Sequence, residues 1–364
     1  MTKGYLMLQT GEIFSGDWIG AKQDTTGELV FNTSMTGYQE MMTDPSYTGQ
    51  ILTFCYPMIG NYGINLHDLE SSDIAVSAVI MSDVCEEPSH YQSVATMSEK
   101  LAHAGVSGLT NIDTRALVAI IRKHQTVRAR IVSQQSSTTS MSSWKQESTI
   151  ELVRTVTVPE YEVVGMGDIH IVLLDFGYKK SIVDELLAAQ CKVTIVPFTT
   201  SVEEIALLTP DGILISNGPG DPIELAAYFS TVKLLSERYP TLGICLGHQL
   251  LALAYGGKTK KMPYGHRGGN HPVKELTTGK VIITSQNHGY EVVEESINKE
   301  TFELTFHNVN DNSVEGIKHR SLPIQSVQFH PEAHPGPSDA AYIFQSFFQQ
   351  VKTRREQACQ SVHS

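Results

Sequence analysis

The segment Gly243-Ile244-Cys245-Leu246-Gly247-His248-Gln249 sets a cysteine between two glycines, after a short apolar run and before a helix-like run, Leu250 to Tyr255. This is the G-x-nucleophile-x-G elbow, with sulfur where hydrolases often carry a hydroxyl. Glycines on either side suit a turn too sharp for side chains. Amides at the start of the following helix would favour a thiolate and offer donors to an oxyanion. The competing reading is a buried core cysteine, since free cysteine is among the most buried residue types.

A thiolate nucleophile needs a base, and the base needs an orienting group. His330-Pro331-Glu332, after the apolar stretch Ile324 to Phe329, can supply both. In extended chain residues two apart point the same way, so Glu332 can hold the imidazole of His330. Proline between them fixes the local backbone. A strand end with incidental polar residues is the alternative, because the chain has 14 histidines.

Asn217-Gly218-Pro219-Gly220 reads as a tight turn at a strand end that can bring backbone N–H groups to a substrate oxygen, or as an ordinary strand-to-helix connection. Gln286-Asn287-His288-Gly289-Tyr290 follows the apolar run Val281 to Ile283; Asn287 can read an amide or carboxylate, or the segment is a simple turn. His266-Arg267-Gly268-Gly269-Asn270-His271 fits no zinc spacing and is expected to be a solvated loop. No phosphate-binding G-x-x-x-x-G-K-[ST] loop occurs.

The elements that must position these residues fall into two blocks. Residues 1–134 show strand-like segments around Tyr5 and Met7, Glu12-Ile13-Phe14, Glu28 to Phe31 and Ile51 to Phe54. Asp113 or Thr114 is placed to cap a helix over Arg115 to His124. The block is expected to be a β-rich α/β domain. Residues 135–167, opening with Gln135-Ser136-Ser137-Thr138-Thr139-Ser140, are polar and are expected to form a linker region. In 168–352 the apolar run Ile169 to Leu174 begins a β-α-β-α-β order that predicts a doubly wound, mostly parallel sheet. Ligands bind at the carboxyl ends of such strands, so the turn at Asn217 and Cys245 should share one rim. The polar tail, 353–364, is expected to fray.

Composition narrows the classes. A length of 364 residues suits two domains, and 41% hydrophobic content supports full cores. A net charge of −12 argues against nucleic-acid binding driven by phosphate neutralisation. No apolar run approaches the ~20 residues that span a bilayer, and Met1 to Tyr5 lacks a signal-peptide core. Five scattered cysteines without a C-x-x-C pair suit a reducing cytoplasm.

Taken together, the elbow, the Asn217 turn and the His330-Pro331-Glu332 motif resemble the class I glutamine amidotransferases. Asn32 to Gln39 with Thr43 to Tyr47, Ser216 to Pro222, His266 to Pro272 and Gln286 to Gly289 are similar to the carbamoyl-phosphate synthase small-chain family, over about Tyr5 to Gln350. The resemblance implies hydrolysis of the glutamine amide through a thioester on Cys245, with His330 as base and then acid and Glu332 orienting it. It implies an oxyanion hole from the N–H groups of Leu246 and Gly218. Gln249, Gly220, Asn287, Gly289 and Tyr290 match positions that hold glutamine; the position of Tyr290 is often Phe in the family. Ser46 matches a glutamine contact from the N-terminal domain, which implies a site at the domain interface. No cofactor is implied for this chain; a separate large chain would bind ATP, Mg and bicarbonate and receive the ammonia. A stand-alone glutamine or γ-glutamyl hydrolase, which leaves the N-terminal domain without a purpose, and a catalytically idle regulatory subunit, which has no reason to keep all three triad residues, are the alternatives.

Overall fold

The computed structural model describes residues 2–134, 144 and 147–362, with the side chains of 358–362 excepted. The polar run 135–140, expected to open a linker, lies outside the described residues. The chain divides into two compact units, one of 1–148 with 262–268, the other of 149–261 with 269–364.

In the first unit a barrel closes in the order Lys3–Leu8, Ile13–Gly20, Ser107–Thr110, Ala78–Ile80, Gln50–Phe54, Thr25–Asn32, Val127–Val132. Closure leaves these strands without the unpaired edge that invites aggregation. Helix Thr114–His124 starts where the sequence places it, with the Asp113 carboxylate accepting from the Ala116 N–H at 2.9 Å. Its Leu117 and Ile121, one turn apart, join Leu6, Leu29 and Ile51 of the barrel in one apolar cluster.

The second unit is built on a ten-stranded sheet. Five strands run parallel, in the order Cys191–Pro197, Ile169–Asp175, Gly212–Ile215, Thr241–Ile244, Ile324–Val327. Alternation along Ile169–Asp175 feeds two cores. Ile171 and Leu173 pack with Ile182 and Leu186 of helix Lys180–Ala188 and with Phe344 and Phe347 of helix Tyr342–Val362. Val172 and Leu174 pack with Ile205 of helix Val202–Leu207, Val232 and Leu235 of Phe229–Arg238, and Leu250 of Leu246–Ala254.

The sheet is mixed, which corrects the expectation of a mostly parallel one. Glu162–Val164 pairs antiparallel at one edge. Beyond Ile324–Val327 the order continues through Val314–His319, Val281–Val292, Thr259–Glu275 and Phe302–Asn308; Val314–His319 pairs antiparallel with Ile324–Val327, Val281–Val292 and Phe302–Asn308, and Thr259–Glu275 pairs antiparallel with Phe302–Asn308. These strands lack the continuous apolar runs that mark a strand buried on both faces, so their polar positions read as loops.

Two further segments differ from expectation. Residues 149–167 carry helix Thr149–Val156 and the edge strand Glu162–Val164, and they fold with the second unit. Val153 and Val158 bury in its two cores, so the segment contributes packing rather than acting only as a spacer. The chain does not stop being helical at Lys352: helix Tyr342–Val362 continues past it. Lys352, Arg354, Arg355, Glu356, Gln357 and Ala358 are good helix formers, and polarity alone does not predict fraying. Phe347 is fully buried at the centre of this packing. Phe347→Ala should cost about 3–5 kcal/mol, read as a lower urea midpoint by far-ultraviolet circular dichroism.

Candidate active site

Cys245 follows strand Thr241–Ile244 and occupies the cap of helix Leu246–Ala254, with φ 53° and ψ −101°. A non-glycine residue at such a positive φ is strained. The neighbouring glycines explain how the strain is accommodated. A methyl group at Gly243 would lie 2.7 Å from the Gly247 carbonyl oxygen, and one at Gly247 would lie 2.2 Å from that of Ile215. The bond from the Gly247 N–H to the Ser216 carbonyl, 3.1 Å, ties the helix start to the adjacent parallel strand end. Leu246 N–H belongs to the first helical turn, whose amides have no carbonyl partner within the helix. Cys245 is buried, its thiol donating to the Asn287 carbonyl at 3.6 Å.

The turn at Asn217 to Gly220 leaves strand Gly212–Ile215, next to the cysteine strand. A side chain at Gly218 would meet the Phe176 carbonyl oxygen at 2.3 Å, and one at Gly220 would meet Thr149 at 2.4 Å. Gly220 also has φ 96°. Thr149 holds the turn from below: its hydroxyl accepts from the Asp221 N–H at 2.8 Å and its own N–H donates to Glu224 at 2.6 Å.

His330 and Glu332 meet as expected, Nδ1 to Oε1 at 2.6 Å. The reason differs from the extended-chain argument. The Ala333 N–H donates to the His330 carbonyl at 3.1 Å, so a tight turn, not a strand, folds the carboxylate back onto the ring. Both side chains are buried. Burial opposes the imidazolium, but the Glu332 carboxylate and the Cys245 thiol outweigh it, and the His330 pKa rises. Burial also opposes the Glu332 carboxylate, yet Lys179 and His330 outweigh it, and its pKa falls. Among the described residues His330 Nε2 makes no direct hydrogen bond of ordinary geometry, but the Cys245 thiol lies close enough on that side to raise the ring's pKa.

Gln286 to Tyr290 lie inside strand Val281–Val292 and not in a turn. The Asn287 carbonyl reaches the cysteine, and Gln249 donates through Nε2 to the Tyr290 carbonyl at 2.9 Å. Gly289 sits between these contacts. His266 and Arg267, expected in a solvated loop, are buried within strand Thr259–Glu275. Ser46 belongs to the first unit, buried in the turn Pro45–Tyr47, with its N–H held by Asp44 at 2.9 Å.

A family model, glutamine amidotransferase class-I, matches residues 172–350. A second, carbamoyl-phosphate synthase small chain, CPSase domain, matches residues 6–131. The arginine-specific carbamoyl phosphate synthase small chain of Bacillus subtilis is 48% identical over 355 residues, covering 97% of this chain and 99% of its own length. The chain belongs to the carbamoyl-phosphate synthase small-chain family. A carbamoyl phosphate synthase small chain of Streptococcus pyogenes is 47% identical over 98% of this chain and 99% of its own. That of Listeria monocytogenes is 44% identical over 98% and 99%.

As a small chain of this synthase, the protein is a glutamine-hydrolysing amidotransferase subunit. One charged residue beside His330 and Glu332 escaped the sequence reading. Lys179 is buried, with Nζ 3.1 Å from Glu332 Oε1 and 2.5 Å from the Ala333 carbonyl. Its own N–H donates to Asn217 at 3.2 Å, which ties the partner of Glu332 to the Gly-rich turn. Asp175 holds the backbone just before Lys179 by accepting from the N–H groups of Gly177 and Tyr178, and it also accepts from that of Val158, at 2.7–2.9 Å. The available signal was position: Lys179 follows the carboxyl end of strand Ile169–Asp175, where ligands gather in such sheets.

These opposed shifts have opposite stability signs. Lowered Glu332 contributes stability that is present above about pH 4.3 and lost as pH falls through its folded pKa. Raised His330 contributes stability present below about pH 6.5 and lost as pH rises through its folded pKa. Glu332→Gln removes the anion from both terms. The imidazole pKa should then fall, because burial is left as the larger influence; nuclear magnetic resonance titration of His330 reads this directly.

Proposed function

We propose that Cys245, His330 and Glu332 hydrolyse the side-chain amide of glutamine and that the ammonia passes to a large chain for carbamoyl phosphate synthesis. The observation that carries this reading is the pairing of a buried, strained cysteine at a helix start with a carboxylate-held imidazole whose pKa the cysteine thiol also raises. The sulfur attacks the carboxamide carbon while His330 holds the thiol proton. The N–H groups of Leu246 and Gly218 receive the oxyanion. The C–N bond breaks, His330 gives its proton to the departing nitrogen, and ammonia leaves a γ-glutamyl thioester on Cys245. Water, deprotonated by His330, then releases glutamate and restores the thiol. Gln249, Gly220, Asn287, Gly289 and Tyr290 hold the substrate, and Ser46 supplies a further contact.

Ammonia protonates in bulk water and then no longer attacks, so its direct transfer to a second catalytic chain is chemically useful. That partner carries ATP, Mg and bicarbonate; this chain needs no cofactor for amide hydrolysis. Among the described residues no helix is long and apolar enough to cross a membrane, which suits work in the cytoplasm.

The decisive experiment is ammonia release from glutamine by the purified chain, titrated with a carbamoyl-phosphate synthase large chain, ATP and bicarbonate. The rate should rise with the large chain. Cys245→Ser should abolish it and glutamine-dependent synthesis, while ammonia-supported synthesis by the complex survives. A high rate indifferent to the large chain would indicate an independent hydrolase. Ser46→Ala should raise the KM for glutamine, measured by the same assay; an unchanged KM would remove Ser46 from the substrate contacts.

A further inference from the structure

Beside the cysteine, in the second unit, lies a buried chain of polar groups that the triad does not use. Its charge state follows from hydrogen-bond accounting. Thr284 donates its hydroxyl proton to the His271 carbonyl at 2.9 Å, so toward Gln286 it can only accept. It does so from Gln286 Nε2 at 3.2 Å. The same nitrogen donates to Glu315 Oε2 at 3.0 Å, and Asn308 Nδ2 donates to Glu315 Oε1 at 3.1 Å. Two independent acceptors thus fix which end of the Gln286 amide is nitrogen. The oxygen end, Oε1, faces His288 Nε2 at 2.7 Å. His288 Nδ1 faces a second pure acceptor, the Tyr290 carbonyl, at 2.8 Å.

A neutral imidazole has one N–H and cannot donate at both nitrogens. We infer that His288 is held as a buried imidazolium, with Glu315 as its counter-charge across the Gln286 amide, and that Glu315 is a positioning residue for glutamine. Glu315 is fully buried and His288 nearly so, a placement that strongly favours pairing of opposite charges. The chain ends on the Tyr290 carbonyl, which also accepts from Gln249 Nε2. Two donors therefore fix the Tyr290 peptide plane. The other Gln249 amide proton goes to Gln328 Oε1 at 3.0 Å, so both nitrogen hydrogens of Gln249 are committed and its oxygen is left to accept from a ligand. Glu315 thereby sets, through Gln286 and His288, the orientation of the strand and amide that face the substrate.

This inference rests on the reading that Gln249, Asn287, Gly289 and Tyr290 hold glutamine, and the test separates the two. The 15N spectrum of histidine-labelled full-length chain, with the His288 signal assigned by a His288→Gln variant, should show both ring nitrogens protonated at neutral pH. Glu315→Gln, which keeps the shape and removes the charge, should convert His288 to a singly protonated ring, and Glu315→Asp should restore the doubly protonated form. In the complex with the large chain, Glu315→Gln should raise the glutamine KM by about tenfold or more while kcat changes far less. A singly protonated His288 in the wild type overturns the charge assignment. Loss of the imidazolium with an unchanged KM overturns the positioning role. An unchanged KM in Gln249→Ala overturns the substrate-pocket reading, and leaves the spectroscopic result standing by itself.

Discussion

The architecture of the site depends on one close approach: the first turn of helix Leu246–Ala254 lies against the end of strand Gly212–Ile215. Only a residue without a side chain fits there, because any Cβ at Gly247 would fall 2.2 Å from the Ile215 carbonyl oxygen. That proximity lets the Gly247 N–H bond to the Ser216 carbonyl, and Cys245, two positions earlier, takes a reversed backbone conformation with φ 53°. Cys245 therefore projects its sulfur at the strand ends instead of into a strand face. The strain, of order 1–3 kcal/mol, persists because packing on both sides determines the backbone. Leu246, Leu250 and Leu251 behind it are all buried in one core, which holds the helix in place.

A second constraint is electrostatic. Lys179, Glu332 and His330 form a buried line in which the central carboxylate serves both cations. Burying such charges is a poor way to gain stability, since desolvation offsets much of the attraction. The arrangement has a chemical effect instead: it holds the imidazole at one angle, with Nδ1 on Glu332 and Nε2 directed elsewhere. Lys179 also grips the Ala333 carbonyl at the end of the turn, so the lysine fixes the backbone that brings Glu332 around. The ion pair and the turn are a single device.

The parts legible in the sequence were those with strong local rules. The Cys245 elbow reads from its glycines, the helix at Thr114 from Asp113, and the central strand from the unbroken apolar run at Ile169. The antiparallel half of the sheet was not legible, because Val281–Val292 carries Gln286, Asn287 and His288 on a buried path. Their polarity looks like a loop until hydrogen bonds to Thr284, Glu315 and the Tyr290 carbonyl satisfy it. The same applies to His266 and Arg267. Lys179 could not be read because its partner lies 153 positions away, 332 minus 179 in the chain, and no local pattern encodes a contact at that separation. The His330–Glu332 pairing was foreseen for a different geometric reason: spacing of two suits both an extended strand and a tight turn.

Buried polar atoms without a protein partner sharpen the distinction between site and core. Leaving such an atom unpaired costs about 1–3 kcal/mol, so each calls for a physical account. Among the described residues His248 Nε2 and His330 Nε2 both lack a hydrogen bond of ordinary geometry. Their surroundings differ. His248 bonds Ser326 through Nδ1 at 2.9 Å, and burial alone pushes its pKa down to about 3, so it remains a neutral packing residue despite standing three positions from Cys245. His330 has a carboxylate on its other nitrogen and a thiol that raises its pKa, so its ring can accept a proton in an equally buried place. Proximity in sequence to Cys245 would favour His248 as the base. The partner on the other ring nitrogen fits the proposed role of His330 better: the Ser326 hydroxyl on His248 would not stabilise an imidazolium, whereas Glu332 would.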